Sequence, residues 1–213
     1  MAQTNSSSAA DLAQEEICRL LAASFYQPDE MFREEQVFQR LAELAGEIDP
    51  DLAEISRALA EAFAGEDLQD LLLDYSRLFL GPFEILAKPY GSVWLEGDKV
   101  LMGQSTAAVR ELYREGGFDL AEDFREVPDH IAAELEFLYL LNYQVNEALS
   151  ASDLGALEQI KSLRKHLLQE HLGRWVSPFT SAMEQGAQSR FYRLLAKLTK
   201  HFVQRQTTLA AQG

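Results

Sequence analysis

Apolar residues recur at helical spacing along most of the chain. Over 11–26, Leu12, Ile17, Leu20, Leu21 and Phe25 fall between Glu and Arg as on one face of an amphipathic helix, and Pro28-Asp29 ends it. The same period predicts helices over 29–46, closed by Gly46, and over 50–64, with Pro50 at its start and Gly65 at its end. Over 66–80, Leu68, Leu71, Leu72, Tyr75, Leu78 and Phe79 make a broad apolar face. Further helices are expected over 106–116, 128–150, 153–172, 175–186 and 189–206. In 128–150 the stripe Ile131, Leu135, Leu138, Leu141, Val145 and Leu149 is widened by Phe137, Tyr139 and Leu140, which predicts the central buried helix. The fold expected is all-α: a single-domain bundle of eight to nine helices over 9–206, with residues 1–8 and 207–213 disordered.

One stretch breaks the period. Residues 81–94 hold Pro82, Pro89, Gly81, Gly91 and the aromatics Phe83, Tyr90 and Trp94, which reads as a long structured loop. Loops of this length are uncommon and often functional. A brief extended piece is expected at 99–102, and 118–127 reads as an acidic connector with Asp119, Glu122, Asp123 and Glu126.

Length and composition narrow the class. A chain of 213 residues, 47% hydrophobic and 25% charged, fits one globular domain. No apolar run approaches the length of a membrane span, and the N-terminus has neither the basic start nor the apolar stretch of an export signal, so a cytoplasmic protein without stable membrane insertion is expected. The single cysteine, Cys18, lies in an apolar helical stretch and reads as a buried hydrophobe. Charge is uneven: residues 1–150 hold 30 acids and 10 bases, whereas 151–213 hold 4 and 9. The acidic part repels phosphate backbones, which argues against nucleic acid, and suits a cationic partner.

Catalytic motifs are absent. No phosphate loop or nucleophile elbow occurs, and His166 and His171 are badly spaced for joint ligation, so no metal or cofactor is expected. His130 and Glu134 share a face at i, i+4, but no second histidine joins them. The polar cluster that stands out is Glu126-Val127-Pro128-Asp129-His130. With Pro128 opening the helix, Asp129 and His130 fall in its first turn, either as an ordinary helix start or as a rigidly mounted acceptor and donor.

The segment from Glu126 to Leu138 reads E-x-x-D-H-x-x-x-E-L-x-F-L, and Tyr75-x-x-Leu78-Phe79-x-Gly81-Pro82 is followed by Pro89-Tyr90-x-Ser92-Val93-Trp94. Together they resemble the signatures of the TorD/DmsD family of redox-enzyme maturation chaperones, with Lys88 in place of a proline and Trp94 in place of a smaller aromatic. The resemblance implies an all-helical chaperone, not an enzyme. Its expected partners are a twin-arginine signal peptide and the catalytic subunit of a molybdopterin oxidoreductase, and it is expected as a monomer or helix-exchanged dimer. By motif position it points to Tyr75, Phe79, Phe83, Tyr90, Gly103, Asp129 and His130 as peptide-binding. Trp94 and Glu126 join them because rings and carboxylates suit arginine. Two other readings stay open: a small enzyme pairing His130 with Asp129 or Glu134, and a purely structural helical oligomer.

Overall fold

The computed structural model describes residues 8–81, 84–97, 100–120 and 126–212. Among them run eleven α-helices: α1 (Ala9–Ala23), α2 (Met31–Glu34), α3 (Val37–Gly46), α4 (Pro50–Gly65), α5 (Leu68–Tyr75), α6 (Gly91–Glu96), α7 (Gln104–Glu115), α8 (Ile131–Ala151), α9 (Leu154–Glu170), α10 (Leu172–Gly186) and α11 (Arg190–Gln212). No strand occurs among the described residues, only an isolated antiparallel bridge between Tyr90 and His130. The all-α expectation holds. No described helix is long and apolar enough to cross a membrane.

Local chemistry sets the ends. Ser8 opens α1 through a capping box with Asp11, and Asp49 caps α4, whose first residue is Pro50. The expected 29–46 helix is divided because Gln36 takes a left-handed conformation, φ 53°, between α2 and α3. The expected 66–80 helix changes type after Tyr75. Ser76–Leu80 form a π-helical turn that ends on Gly81 at φ +56°, with Gly81 N–H donating to Ser76 O at 2.6 Å. Such turns occur often beside functional sites.

Three expectations are corrected. The loop after Gly81 is shorter than predicted, because Gly91–Glu96 is helical. At 99–102 no extended piece forms: Lys99 lies outside the described residues, Val100 N–H donates to Gly97 O, and Met102 has φ 62°. The final helix does not stop at 206 but runs to Gln212, with Ala210 buried against the bundle. Residues 1–7, Gly213 and half of the acidic connector (121–125) lie outside the described residues.

Helix α8 is central, packed against α1 on one side and α9 on the other, while α11 packs on α4, α9 and α10. Ile131, Leu135, Leu138 and Leu141 are fully buried, as the stripe required. A ring cluster of Phe38, Phe63 and Phe191 ties α3, α4 and α11 together, with centroids 4.6–5.1 Å apart. The start of α11 is capped from far away in sequence. Asp74 accepts from the Gln188 and Ser189 N–H groups, and Glu66 from those of Arg190 and Phe191. These carboxylates meet the positive end of the helix and its free donors.

Candidate functional site

The segment before α8 and the segment before α6 are zipped together. Ile131 N–H donates to Pro89 O at 2.9 Å, and Gly91 N–H to Asp129 O at 2.8 Å. Val127–His130 form a tight turn, His130 N–H donating to Val127 O at 2.9 Å, with Pro128 at the position where its fixed φ is favoured. The helix therefore starts at Ile131, not at Pro128. His130 is its N-cap, and its Nδ1 accepts from Ala132 N–H at 3.2 Å. That bond leaves the ring proton on Nε2 of the neutral imidazole.

Asp129 and His130 are both withdrawn from solvent, at 1% and 4% exposure. Asp129 Oδ2 accepts from the Ser92 N–H at 2.6 Å, at the first turn of α6. Its carboxylate thus faces inward and joins α6 to α8; a direct bond from Asp129 to an outside arginine is not available. Burial pushes the His130 imidazole down to about 4, against the pull of Glu126 and Asp129. At neutral pH it carries no charge.

What faces outward is a group of tyrosines and carboxylates around His130. Tyr90 packs edge-on to the imidazole at 5.5 Å, and Tyr26 of the α1–α2 connection stacks over it at 6.4 Å. The Tyr90 hydroxyl donates to Glu126 at 2.8 Å, and the Tyr26 hydroxyl to Glu136 at 2.9 Å. Tyr75 lies within electrostatic reach of Tyr26, Tyr90 and Glu126. Burial and Glu126 push the Tyr75 phenol up to about 12, and burial with nearby carboxylates raises Tyr26 and Tyr90 as well. All five side chains are half-buried. Among the described residues neither Glu126 nor Glu136 has a cationic partner. The arrangement is anionic, aromatic and partly dry: suited to a guanidinium, which stacks on rings and accepts paired carboxylates.

The other expected residues divide by burial. Phe79 belongs to the core, against Phe25, Phe179 and Tyr192, and contacts Tyr75 at 5.2 Å. Trp94 donates from Nε1 to Lys88 O at 2.8 Å and packs on Phe179, which fixes the loop. Gly103 precedes α7 where the Glu96 carboxylate crosses to cap Gln104 and Ser105, and a Cβ there would meet Glu96 oxygens. Phe83 lies outside the described residues, as do Glu122 and Asp123. Leu80, just before the loop, and Leu86, within it, are 56% and 39% exposed.

The acid–base alternative fails on geometry. Glu134 is buried with both oxygens accepting from Trp175 Nε1 at 3.1 and 3.2 Å, and burial holds its carboxyl well above the usual range. Asp129 is committed to Ser92, and His130 Nδ1 to Ala132. Each group is held by a separate structural bond instead of converging on a reaction centre. Gly91 sits at the crossing of these elements, where a Cβ would stand 2.9 Å from Trp175 Nε1 and 3.1 Å from Glu134 Oε1. Tyr26 and Glu136 escape sequence reasoning because they lie 110 residues apart; their hydrogen bond exists only once α1 packs on α8.

Comparison with known proteins bears on the family and the fold. The family model of the nitrate reductase delta subunit matches residues 45–181. The Tat proofreading chaperone DmsD of Salmonella typhimurium is 30% identical over 183 residues, 85% of this chain and 83% of that one. The chaperone protein TorD of Shewanella loihica is 29% identical over 167 residues, 75% and 72% of the two chains. A crystal structure of an Archaeoglobus fulgidus protein, described as a candidate redox enzyme maturation protein, aligns with TM-score 0.54 at 22% identity, covering 89% of this chain and 93% of that one. At that identity it speaks for the fold.

Proposed function

The chain belongs to the TorD family, matched through the nitrate reductase delta subunit model, and we propose that it is a cytoplasmic chaperone that binds the twin-arginine signal peptide of a molybdenum oxidoreductase's catalytic subunit. In this role it assists cofactor insertion and holds the subunit back until export. It is a chaperone in a family whose relatives carry chaperone names, not enzyme names.

The observation that carries the reading is the half-buried set of Tyr26, Tyr75 and Tyr90 with Glu126 and Glu136. An arginine entering it gains ring faces and two carboxylates that hold only phenol hydroxyls. The exposed Leu80 and Leu86 offer apolar surface beside the Tyr90 loop for the hydrophobic segment of such a peptide. Asp129, His130 and Trp94 act one step behind. They fix the loop and the start of α8, so that Tyr90 and Glu126 present a formed site. The excess of acids in residues 1–150 speeds encounter with a cationic peptide.

Titrating the protein with a synthetic signal peptide, and with the same peptide carrying lysines in place of both arginines, tests this. Binding of the arginine form should be tighter, because lysine keeps the charge but loses the planar stacking and the donor fork. Equal affinities, or no binding of either, would defeat the reading.

A further inference from the structure

Residues 151–213 carry nine Lys/Arg against four Asp/Glu, the reverse of the rest of the chain. Where α9 approaches the end of α11, a cavity of about 210 Å³ is lined by Glu158, Lys161, Ser162, Arg164, Lys165 and Ala210. Three cations meet one carboxylate there, and the Lys161–Glu158 pair is loose at 3.9 Å.

Arg164 is the informative member. Its Nη1 donates to the neutral side-chain oxygen of Asn142 at 3.1 Å, and its Nε–H is buried with no acceptor. Among the described residues no carboxylate lies within ion-pair distance of it. Withdrawing a guanidinium from water without a counter-ion is unfavourable, and native structures normally supply one. Desolvation also pulls the Arg164 pKa below its ordinary value, and the attraction of Asp11, which lies beyond ion-pair distance, offsets this only in part. Two lysines and a hydroxyl at the same opening supply further donors of the right sign.

We propose that this cavity binds a small dianionic oxyanion of phosphate or sulfate size, held by Lys161, Arg164, Lys165 and Ser162. It is below the range of sites that take drug-sized ligands, about 300–1,000 Å³, which excludes a nucleotide seated as a whole. The site shares no residue with the tyrosine–carboxylate cluster, so it stands independently of the peptide-binding reading.

Calorimetric titration with sodium phosphate, against sodium chloride at matched ionic strength, is the direct test, with thermal unfolding followed in the same buffers. The expected result is saturable one-site binding with Kd of about 1 mM or tighter. Tm should rise saturably over millimolar phosphate, above the general, non-saturating stabilisation that phosphate and sulfate give folded proteins. Lys165→Glu alters an exposed side chain, so it should keep the fold and weaken phosphate binding by about tenfold or more. Arg164→Met should abolish the saturable part of the phosphate-dependent rise in Tm; if it does not fold, Lys165→Glu and Lys161→Glu decide. Absence of saturable binding, or phosphate affinity unchanged in both lysine variants, overturns the proposal.

Discussion

Replacing Asp129 separates a support role from a contact role. The carboxylate is 1% exposed, and Oδ2 accepts from the Ser92 N–H at 2.6 Å. In Asp129→Ala that amide keeps its place under the loop and loses its acceptor. A buried donor left unpaired costs about 1–3 kcal/mol. For a chain of this length each kcal/mol moves Tm by roughly 2–4 °C, so a fall of about 4–8 °C is expected for a mid-range loss near 2 kcal/mol. Asp129→Asn keeps an acceptor oxygen in the same shape. Its amide group replaces Asp129 Oδ1, which is already buried without a partner, so an unpaired neutral group takes the place of an unpaired charged one and stability should stay within about 1 kcal/mol of wild type. Unfolding in urea, with signal-peptide affinity measured on the folded fraction, is the assay. The account expects Asp129→Asn to bind within about threefold of wild type, or about 0.7 kcal/mol. Full stability with abolished binding in Asp129→Asn would refute the reasoning, since only the lost charge would then explain it. Unchanged stability in Asp129→Ala would refute the hydrogen-bond ledger itself.

The site and the core make further predictions. Tyr90→Ala should lower signal-peptide affinity more than it lowers thermal stability; a large stability loss with unchanged binding per folded molecule would return Tyr90 to a loop-pinning role. Gly91→Ala places a methyl 2.9 Å from Trp175 Nε1 and should destabilise by about 1–3 kcal/mol in thermal unfolding, whereas Gly46→Ala meets no such atom. His130 and His171 are both held down to about 4 by burial. Between their ordinary pKa and that value the unfolded chain binds more protons, so stability is full above pH 6.5 and falls as pH drops toward 4. The slope is up to roughly 1.4 kcal/mol per pH unit for each histidine. Urea unfolding at pH 7, 6 and 5 checks this, and a flat profile would show that the rings protonate freely. Signal-peptide affinity should weaken with added salt while the apolar share persists; affinity independent of salt would remove the electrostatic contribution.

Helices were legible because burial in a bundle is periodic, and the stripe through Ile131, Leu135, Leu138 and Leu141 marked the central one. Ends were less so. Apart from Leu209, the run from Thr207 to Gln212 is polar or small, yet it stays helical, with Ala210 buried against the bundle. The importance of Asp129 and His130 could be seen in the motif, but their direction could not. Whether a carboxylate beside a helix start faces water or a backbone amide is decided by the chain that pairs with it. Here that partner is the Pro89–Ser92 segment, nearly forty residues earlier. Glu136 stood inside the signature segment without attracting notice, since nothing in one sequence says that Tyr26 will reach it.

The central claim is that half-buried carboxylates beside tyrosine rings read arginine. The most direct measurement compares wild type with the Glu126→Gln/Glu136→Gln double variant, titrating each with the twin-arginine peptide and its twin-lysine counterpart. Both glutamines retain an acceptor for the Tyr90 and Tyr26 hydroxyls, so the fold should persist. A charge-assisted bond is worth about 1.5–3 kcal/mol, so the variant should bind the arginine peptide about tenfold more weakly or worse, and its preference over lysine should shrink. An arginine-peptide affinity unchanged in the folded double variant would contradict the account.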